Sequence, residues 1–311
     1  MTGDTALGPG REFDLVRALL RRWGSTARGV GDDAAVLDVP PGEHLVASTD
    51  TAVENVHFRR DWLTPREIGW RAMAAALSDL AAMGAAPLGA LIALSLPPDW
   101  LPQVEELADG LGDAARAAGC PIVGGDLARS RELSIGITAL GHAAQVLPRA
   151  GARAGEALWL TGALGGPGAA VAAWTRGEEP RPEHRERFAH PEPRIAAGRW
   201  LAAHGATAAI DVSDGLLGDA EHVAAASGAR LEIDLDAVPC VAGVSPEDAA
   251  RSGEEYELLV AAPAALDAAA FARDVGLSLT RVGRVEQGAP EVRATLGGRR
   301  VAPGGGFDHF S

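Results

Sequence analysis

The sequence predicts an α/β chain, α+β in the looser sense, of two domains built on mixed sheets. Three observations carry that expectation. Apolar strand-like runs alternate with helical patterns in both halves. At 311 residues the chain exceeds the size at which a single core usually stops growing. Around 141–157 the text turns to glycine, arginine and alanine (GHAAQVLPRAGARAGEA), which predicts a short crossing between a domain at 1–148 and a domain at 149–311.

Each element follows from its own pattern. Leu15, Leu19, Leu20 and Trp23 stand at helical spacing and predict an amphipathic helix over 14–23. The stretch GVGDDAAVLDVP is expected to turn and become a strand. A second strand at 44–49 ends on STD, and a helix follows over 65–83, with Trp70, Met73, Leu77 and Leu80 on one stripe and Asp79 beside it. A strand at 88–96, a helix at 101–118 closed by Gly119, a buried strand at 121–123 running into GGD, and a strand at 133–140 complete the first half. In the second half a strand at 157–161 precedes a helix beginning at 167–174, and the charged, proline-rich EEPRPEHRERFAHPEPR at 178–194 reads as a surface connection. Helix 195–204, strand 208–212, helix 213–227 ended by Gly228, and strand 255–262 follow.

Composition excludes several chemistries. The chain contains no lysine, so all 28 of its basic side chains are arginine. A P-loop, a protein-kinase strand lysine and a pyridoxal Schiff base all fail on that ground. A formal charge of −14 leaves no basic stripe for nucleic acid or an anionic membrane. Cys120 and Cys240 stand far apart, outside any CxxC spacing, so neither a disulfide nor a zinc site is expected. The first twenty residues hold Asp4, Arg11, Glu12, Asp14 and Arg17 with no unbroken apolar core, so no secretory signal is expected and cytoplasmic residence is the default expectation. The uncharged stretch at 80–98 approaches membrane-spanning length only by joining a helix end, a turn at Gly84 and Pro87, and a buried strand.

Seven aspartates in five short clusters carry the chemistry: GDDAA at 31–35, STD at 48–50, SDLAAMGA at 78–85, GGD at 124–126 and DVSDG at 211–215. Carboxylates within ~4 Å of one another repel by a few kcal/mol even when screened, so their convergence calls for hard cations such as Mg²⁺ bound to phosphates. In DVSDG, Ser213 and Asp214 fall where helix N-cap donors favour an anion, and Asp211 two residues earlier aims at the same spot. An ordinary aspartate cap is the competing reading. Asp32 and Asp33 also fit an Asx turn after glycine, and Asp79 a solvated helix face. Gly124 and Gly125 before Asp126 mark either a close backbone approach or a tight turn. His57 fits a surface histidine as well as a ligand contact, and Arg149 a solvated linker arginine as well as a bidentate phosphate partner. Asp234 and Asp236 lack the glycine and glutamate of a calcium loop.

In this order, GVGDDAAVL, STDTAVENVHF, ALSDLAAMGA, GGD, DVSDGL, GEEYELL and the terminal GFDHF make the chain resemble the thiamine-monophosphate kinase family, relatives of aminoimidazole ribonucleotide synthetase and selenophosphate synthetase. NVHF, GEEYEL and GFDHF separate the kinases from those cousins. The resemblance implies a two-domain aminoimidazole ribonucleotide synthetase-like fold with the active site in the cleft between domains, pairing as a homodimer through the N-terminal sheets. It implies transfer of the ATP γ-phosphoryl group to thiamine monophosphate, the last step of thiamine diphosphate synthesis. Asp33, Ser48, Thr49, Asp50, Asp79, Asp126, Asp211 and Asp214 would hold several Mg²⁺ ions. Gly125, Asp126, Arg149 and Ser213 would contact ATP, and His57, Glu255 and Phe307 the thiamine monophosphate. The chain departs from the family at Glu255, where GEDYEL is usual, so the carboxylate is kept with one methylene more of reach. The rival readings are another ATP-dependent member of the superfamily and a non-catalytic cation- or nucleotide-binding module. No cysteine precedes Cys120, which counts against the selenophosphate branch.

Overall fold

The computed structural model describes residues 10–31 and 33–302. They form two compact units. The first takes the chain up to Leu80, with 86–144 and 189–191; the second takes 81–85, 145–188 and the remainder.

In the first unit the elements run α1 (Arg11–Trp23), β1 (His44–Val53), α2 (Pro65–Ala82), β2 (Ala86–Leu96), α3 (Val104–Ala117), β3 (Ile122–Arg129) and β4 (Ser134–Ala143), α2 ending in residues of the second unit. The sheet order is β1-β4-β2-β3, antiparallel except for β2 with β3. Ile135, Ile137 and Ala139 of β4 are buried while Ser134, Gly136, Thr138 and Leu140 between them are half-exposed, so one face of the sheet carries the core and the other stays open. Helices α2 and α3 meet backbone to backbone. A Cβ on Gly69 would lie 2.1 Å from the Leu107 carbonyl oxygen, and one on Gly110 1.8 Å from that of Arg66. Helix α1 locks onto α3 through Trp23, whose indole N–H donates to the Ala108 carbonyl at 2.9 Å.

The second unit runs β5 (Ala157–Thr161), α4 (Gly166–Thr175), α5 (Pro182–Ala189), α6 (Ile195–Ala203), β6 (Ala208–Asp211), α7 (Leu216–Ser227), β7 (Arg230–Asp234), α8 (Pro246–Arg251), β8 (Leu258–Ala262), α9 (Ala268–Val275), β9 (Leu279–Glu286), β10 (Glu291–Leu296) and β11 (Arg299–Val301). Its sheet order is β11-β10-β7-β9-β5-β8-β6, with only β10 and β7 parallel. Strands β5, β6 and β8 are buried at every position, because apolar clusters cover both faces. On one side Leu216, Ala220 and Val223 of α7 share a cluster with Leu158, Leu160 and Ile210; on the other, Leu201 of α6 and Phe271 of α9 share one with Trp159 and Val260. That double cover is why these strands read as continuous apolar runs.

Three expectations are corrected. Residues 33–41 form no strand: Val36 is 81% exposed, so the apolar residues there gain no burial to stabilise one. The 178–194 segment is more than a surface connection, since it contains α5, buries His184 and Phe188, and sends Arg187 onto the buried Glu255 and Glu257 and Arg194 onto Glu257. The helix after DVSDG begins at Leu216 rather than at Ser213, with Gly215 as its cap residue at φ 115°. Among the described residues no helix is long and apolar enough to cross a membrane.

Candidate functional site

In the first unit, strand alternation places Ser48 and Asp50 on one face of β1. Asp79 reaches that face from α2, and the Ser48 hydroxyl donates to its carboxylate. Asp79 is therefore no solvated helix face; its neighbours Ser78 and Leu80 are fully buried. Register carries the row of Asp50 through Ile137 and Ile92 to Gly125. The next row runs Thr51, Gly136, Ala93, Asp126 and points to the opposite, open face. Thr49 points there too, and the Thr138 hydroxyl donates to its Oγ1 at 3.5 Å. Ser48, Asp50 and Asp79 are thus brought together, while Thr49 and Asp126 belong to the other face.

The GGD glycines lie inside β3, which continues through them to Arg129. What their backbone approaches is β2: a Cβ on Gly125 would sit 2.0 Å from the Ile92 carbonyl oxygen. Asp33 is exposed at a bend, and Asp32 lies outside the described residues.

The NVHF motif is a tight turn. The N–H of Asn55 donates to the Phe58 carbonyl, and the Val53 N–H donates to His57 Nδ1 at 3.1 Å. That acceptor role leaves Nε2 to carry the ring proton. Phe58 is buried and pins the turn, while Val56 is 56% exposed.

In the second unit Asp211 ends β6, 5% exposed, and Ser213 and Asp214 follow half-buried. The backbone donors that the sequence offers to a phosphate are already engaged. Asp219, one turn into α7, accepts from the N–H groups of Ser213, Asp214 and Gly215 at 3.0, 3.1 and 3.2 Å. Burial pushes its carboxyl up to about 7, and the charges of Asp211 and then Asp214 push the same way against those hydrogen bonds. Sequence reasoning missed Asp219. The signal available was an aspartate four residues past the cap in an otherwise apolar first turn of a helix.

The GEEYEL motif lies across this acidic loop. The N–H groups of Glu255 and Tyr256 both donate to the Val212 carbonyl, that of Glu254 donates to Ser213, and the Val212 N–H donates back to Glu257. Outside glycine, positive φ among the described residues occurs only at Asn55 (63°), Glu254 (59°) and Tyr256 (54°). All three belong to NVHF and GEEYEL, and strained backbone of this kind concentrates where a fold must present atoms to a ligand.

Glu255 itself points inward. Its side chain is fully buried, Oε1 accepts from the Gly165 N–H and the Ser252 hydroxyl, and Oε2 lies 3.5 Å from Arg187. Glu257, also fully buried, takes two donors from Arg194 at 2.7 and 3.0 Å and one from Thr161 at 2.7 Å. Arg149 is exposed in the short turn 149–151, whose carbonyl at Arg149 accepts from Ser227. Phe307 lies outside the described residues.

The donor sets suit a hard divalent cation. The charges of Asp211 and Asp214 bear on Asp219 in one acidic loop, and Ser48, Asp50 and Asp79 offer a second set of oxygen atoms, the Ser48 hydroxyl bonded to Asp79. Among the described residues no three His, Cys, Asp or Glu side chains by themselves make a group that could hold a metal ion.

Residues 31–143 match the family model of the AIR synthase related protein, N-terminal domain, and residues 153–294 that of its C-terminal domain. The chain is 37% identical over 297 residues to the thiamine-monophosphate kinase of Mycobacterium tuberculosis, covering 90% of this chain and 86% of that relative. It is similar to the crystal structure of thiamine-monophosphate kinase from Stenotrophomonas maltophilia K279a, with a TM-score of 0.80 and 34% identity over 97% of this chain and 100% of that one. AaThiL complexed with AMPPCP and TMP aligns with a TM-score of 0.76 and 30% identity over 96% of this chain and 97% of that one. The chain belongs to the thiamine-monophosphate kinase family of AIR synthase related proteins.

Proposed function

We propose that the protein transfers the γ-phosphoryl group of ATP to the phosphate of thiamine monophosphate, giving ADP and thiamine diphosphate. The observation that carries this reading is the likeness, over 96% of the chain, to a kinase structure that holds AMPPCP, a non-transferring stand-in for ATP, together with TMP. In the reaction the bond from the γ-phosphorus to the bridging oxygen of ADP breaks, and a bond to an oxygen of the acceptor phosphate forms in line with it. The acceptor oxygen is already anionic, so no general base is required of the chain.

Positioning and charge neutralisation then do the work. Bound Mg²⁺ would neutralise and orient the phosphate oxygens. Asp33, Ser48, Thr49, Asp50, Asp79, Asp126, Asp211 and Asp214 are the proposed holders, and their division among separate groups favours several ions over one. Gly125, Asp126, Arg149 and Ser213 are proposed for ATP, Arg149 supplying the cationic fork that the absent lysines cannot. His57 and Phe307 are proposed for thiamine monophosphate, with Glu255 supporting that site through the turn it anchors. The open face of the first sheet, with Leu45 57% exposed, is proposed to pair two copies. Cytoplasmic residence fits such an enzyme.

The test is to supply ATP, Mg²⁺ and thiamine monophosphate and to follow thiamine diphosphate. Equimolar ADP and thiamine diphosphate are expected. ADP formed only with another acceptor selects a different member of the superfamily, and nucleotide binding without turnover selects a binding module.

A further inference from the structure

The charged 178–194 segment has a role that its surface-like composition hides. From α5, Arg187 donates to the Ala163 carbonyl and pairs with Glu257 at 3.3 Å and Glu255 at 3.5 Å. Glu255 stands between the two left-handed residues Glu254 and Tyr256, and its Oε1 is held by Gly165 and Ser252. Left-handed backbone at such residues persists only where the surroundings over-determine it. Here the fixed side chain of the middle residue does so, and the turn it holds sends three N–H donors onto Val212 and Ser213, the residues between Asp211 and Asp214.

We propose that Arg187 and Glu255 are positioning residues for the Asp211–Asp214 loop, and that through them the α5 segment sets how tightly that loop holds a divalent cation. The inference rests on the reading that Asp211 and Asp214 bind metal. Neither Arg187 nor Glu255 would touch the cation; without Arg187, Oε2 of Glu255 keeps no cationic neighbour in a buried site, the turn relaxes, and the carboxylates lose their spacing.

Mn²⁺ binding to the protein in the presence of AMPPCP, whose phosphate oxygens supply ligands that the described side chains alone do not, followed by electron paramagnetic resonance, tests this without turnover. Wild type, Asp214→Ala, Arg187→Met, Arg187→Lys, Ser252→Ala and Arg176→Ala are compared, each with a thermal melt. Arg187→Met is expected to bind Mn²⁺ about tenfold more weakly or worse while still melting cooperatively, the usual scale for losing a residue behind a ligand. Arg187→Lys should recover part of that loss. Ser252→Ala, which removes one hydroxyl from Glu255 and barely changes volume, should weaken binding about threefold to tenfold. Arg176→Ala, removing an exposed pair with Glu178, should bind as wild type. Wild-type affinity in a folded Arg187→Met protein, or in Ser252→Ala where Arg187→Met does not fold, overturns the inference while leaving the metal reading in place. Unchanged binding in Asp214→Ala overturns the metal reading and the inference together.

Discussion

Asp219 closes the loop that Ser213 opens: its carboxylate accepts the Ser213 N–H at 3.0 Å and the next two N–H groups beyond. A buried carboxylate is thus spent on holding the backbone that carries two others. Asp219→Asn keeps an acceptor for those donors and removes one of three crowded charges. Stability at neutral pH is expected to change by less than about 1 kcal/mol, since hydrogen bonding is largely kept. The Mg²⁺ concentration for half-maximal activity should rise. Asp219→Ala, leaving three donors unanswered, should instead destabilise the protein by about 1–3 kcal/mol. Denaturant titration and a Mg²⁺ activation curve separate the two variants.

Asp33 is exposed, and Asp50 and Asp214 are half-buried, so none supports a core. Replacing any of them with alanine should leave the melt within a few degrees of wild type. Turnover should fall by roughly three orders of magnitude, the several kcal/mol expected for losing a metal-borne charge contact in the transition state. Thiamine diphosphate formation near the wild-type rate in all three variants would refute the metal assignment.

Sequence pattern reached the parts of the fold where periodicity is long or burial is two-sided. Helix α2 was legible from its stripe, and β5, β6 and β8 from their unbroken apolar runs. Strands β7, β9, β10 and β11 are harder to see, because their few apolar residues, such as Leu231 and Ile233, alternate with arginine and glutamate that form cross-strand pairs. Helices α5 and α8 are short and open on proline, and their stability comes from packing rather than propensity.

The site was legible as a set of motifs but not as a geometry. That Asp211 and Asp214 stand in one loop follows from their spacing in the sequence; that both act on Asp219 does not. The face that each residue of STD and GGD takes depends on a register across four strands, which local sequence does not encode. Asp219, Arg187 and Arg194 escaped because each acts on a motif distant from it in the chain, or through backbone groups that leave no trace in residue type.

Gly125 distinguishes a glycine kept for a ligand from one kept for the fold. A methyl there would stand 2.0 Å from the Ile92 carbonyl oxygen, a contact that only movement of β2 or β3 relieves. Gly125→Ala should destabilise the protein by about 1–3 kcal/mol, the scale of overpacking. Gly155→Ala, at a glycine with open space around it but φ 96°, should show only the backbone strain, about 1 kcal/mol. Equal stability of Gly125→Ala and wild type in urea would show that β2 yields easily and that the glycine is kept for another reason.

Glu255 gives stability a pH dependence of defined sign. Burial is the largest influence on its carboxyl and raises it from 4.5 to about 7, against the hydrogen bonds from Ser252 and Gly165 and the charge of Arg187. Oε2, buried with no hydrogen-bond partner, is the oxygen free to take the proton. Because the folded value lies above the unfolded one, the folded state binds more protons between about pH 4.5 and 7. The contribution is therefore fully present below 4.5 and is lost as pH rises through 7. At about 1.4 kcal/mol per pH unit it amounts to at most about 3–4 kcal/mol. Glu255→Gln cannot ionise and should lack this slope, so the stability difference between variant and wild type should shift in favour of the variant across that window. Urea unfolding at half-unit pH steps in metal-free buffer reads it directly, and parallel profiles for the two proteins would mean that Glu255 stays charged throughout.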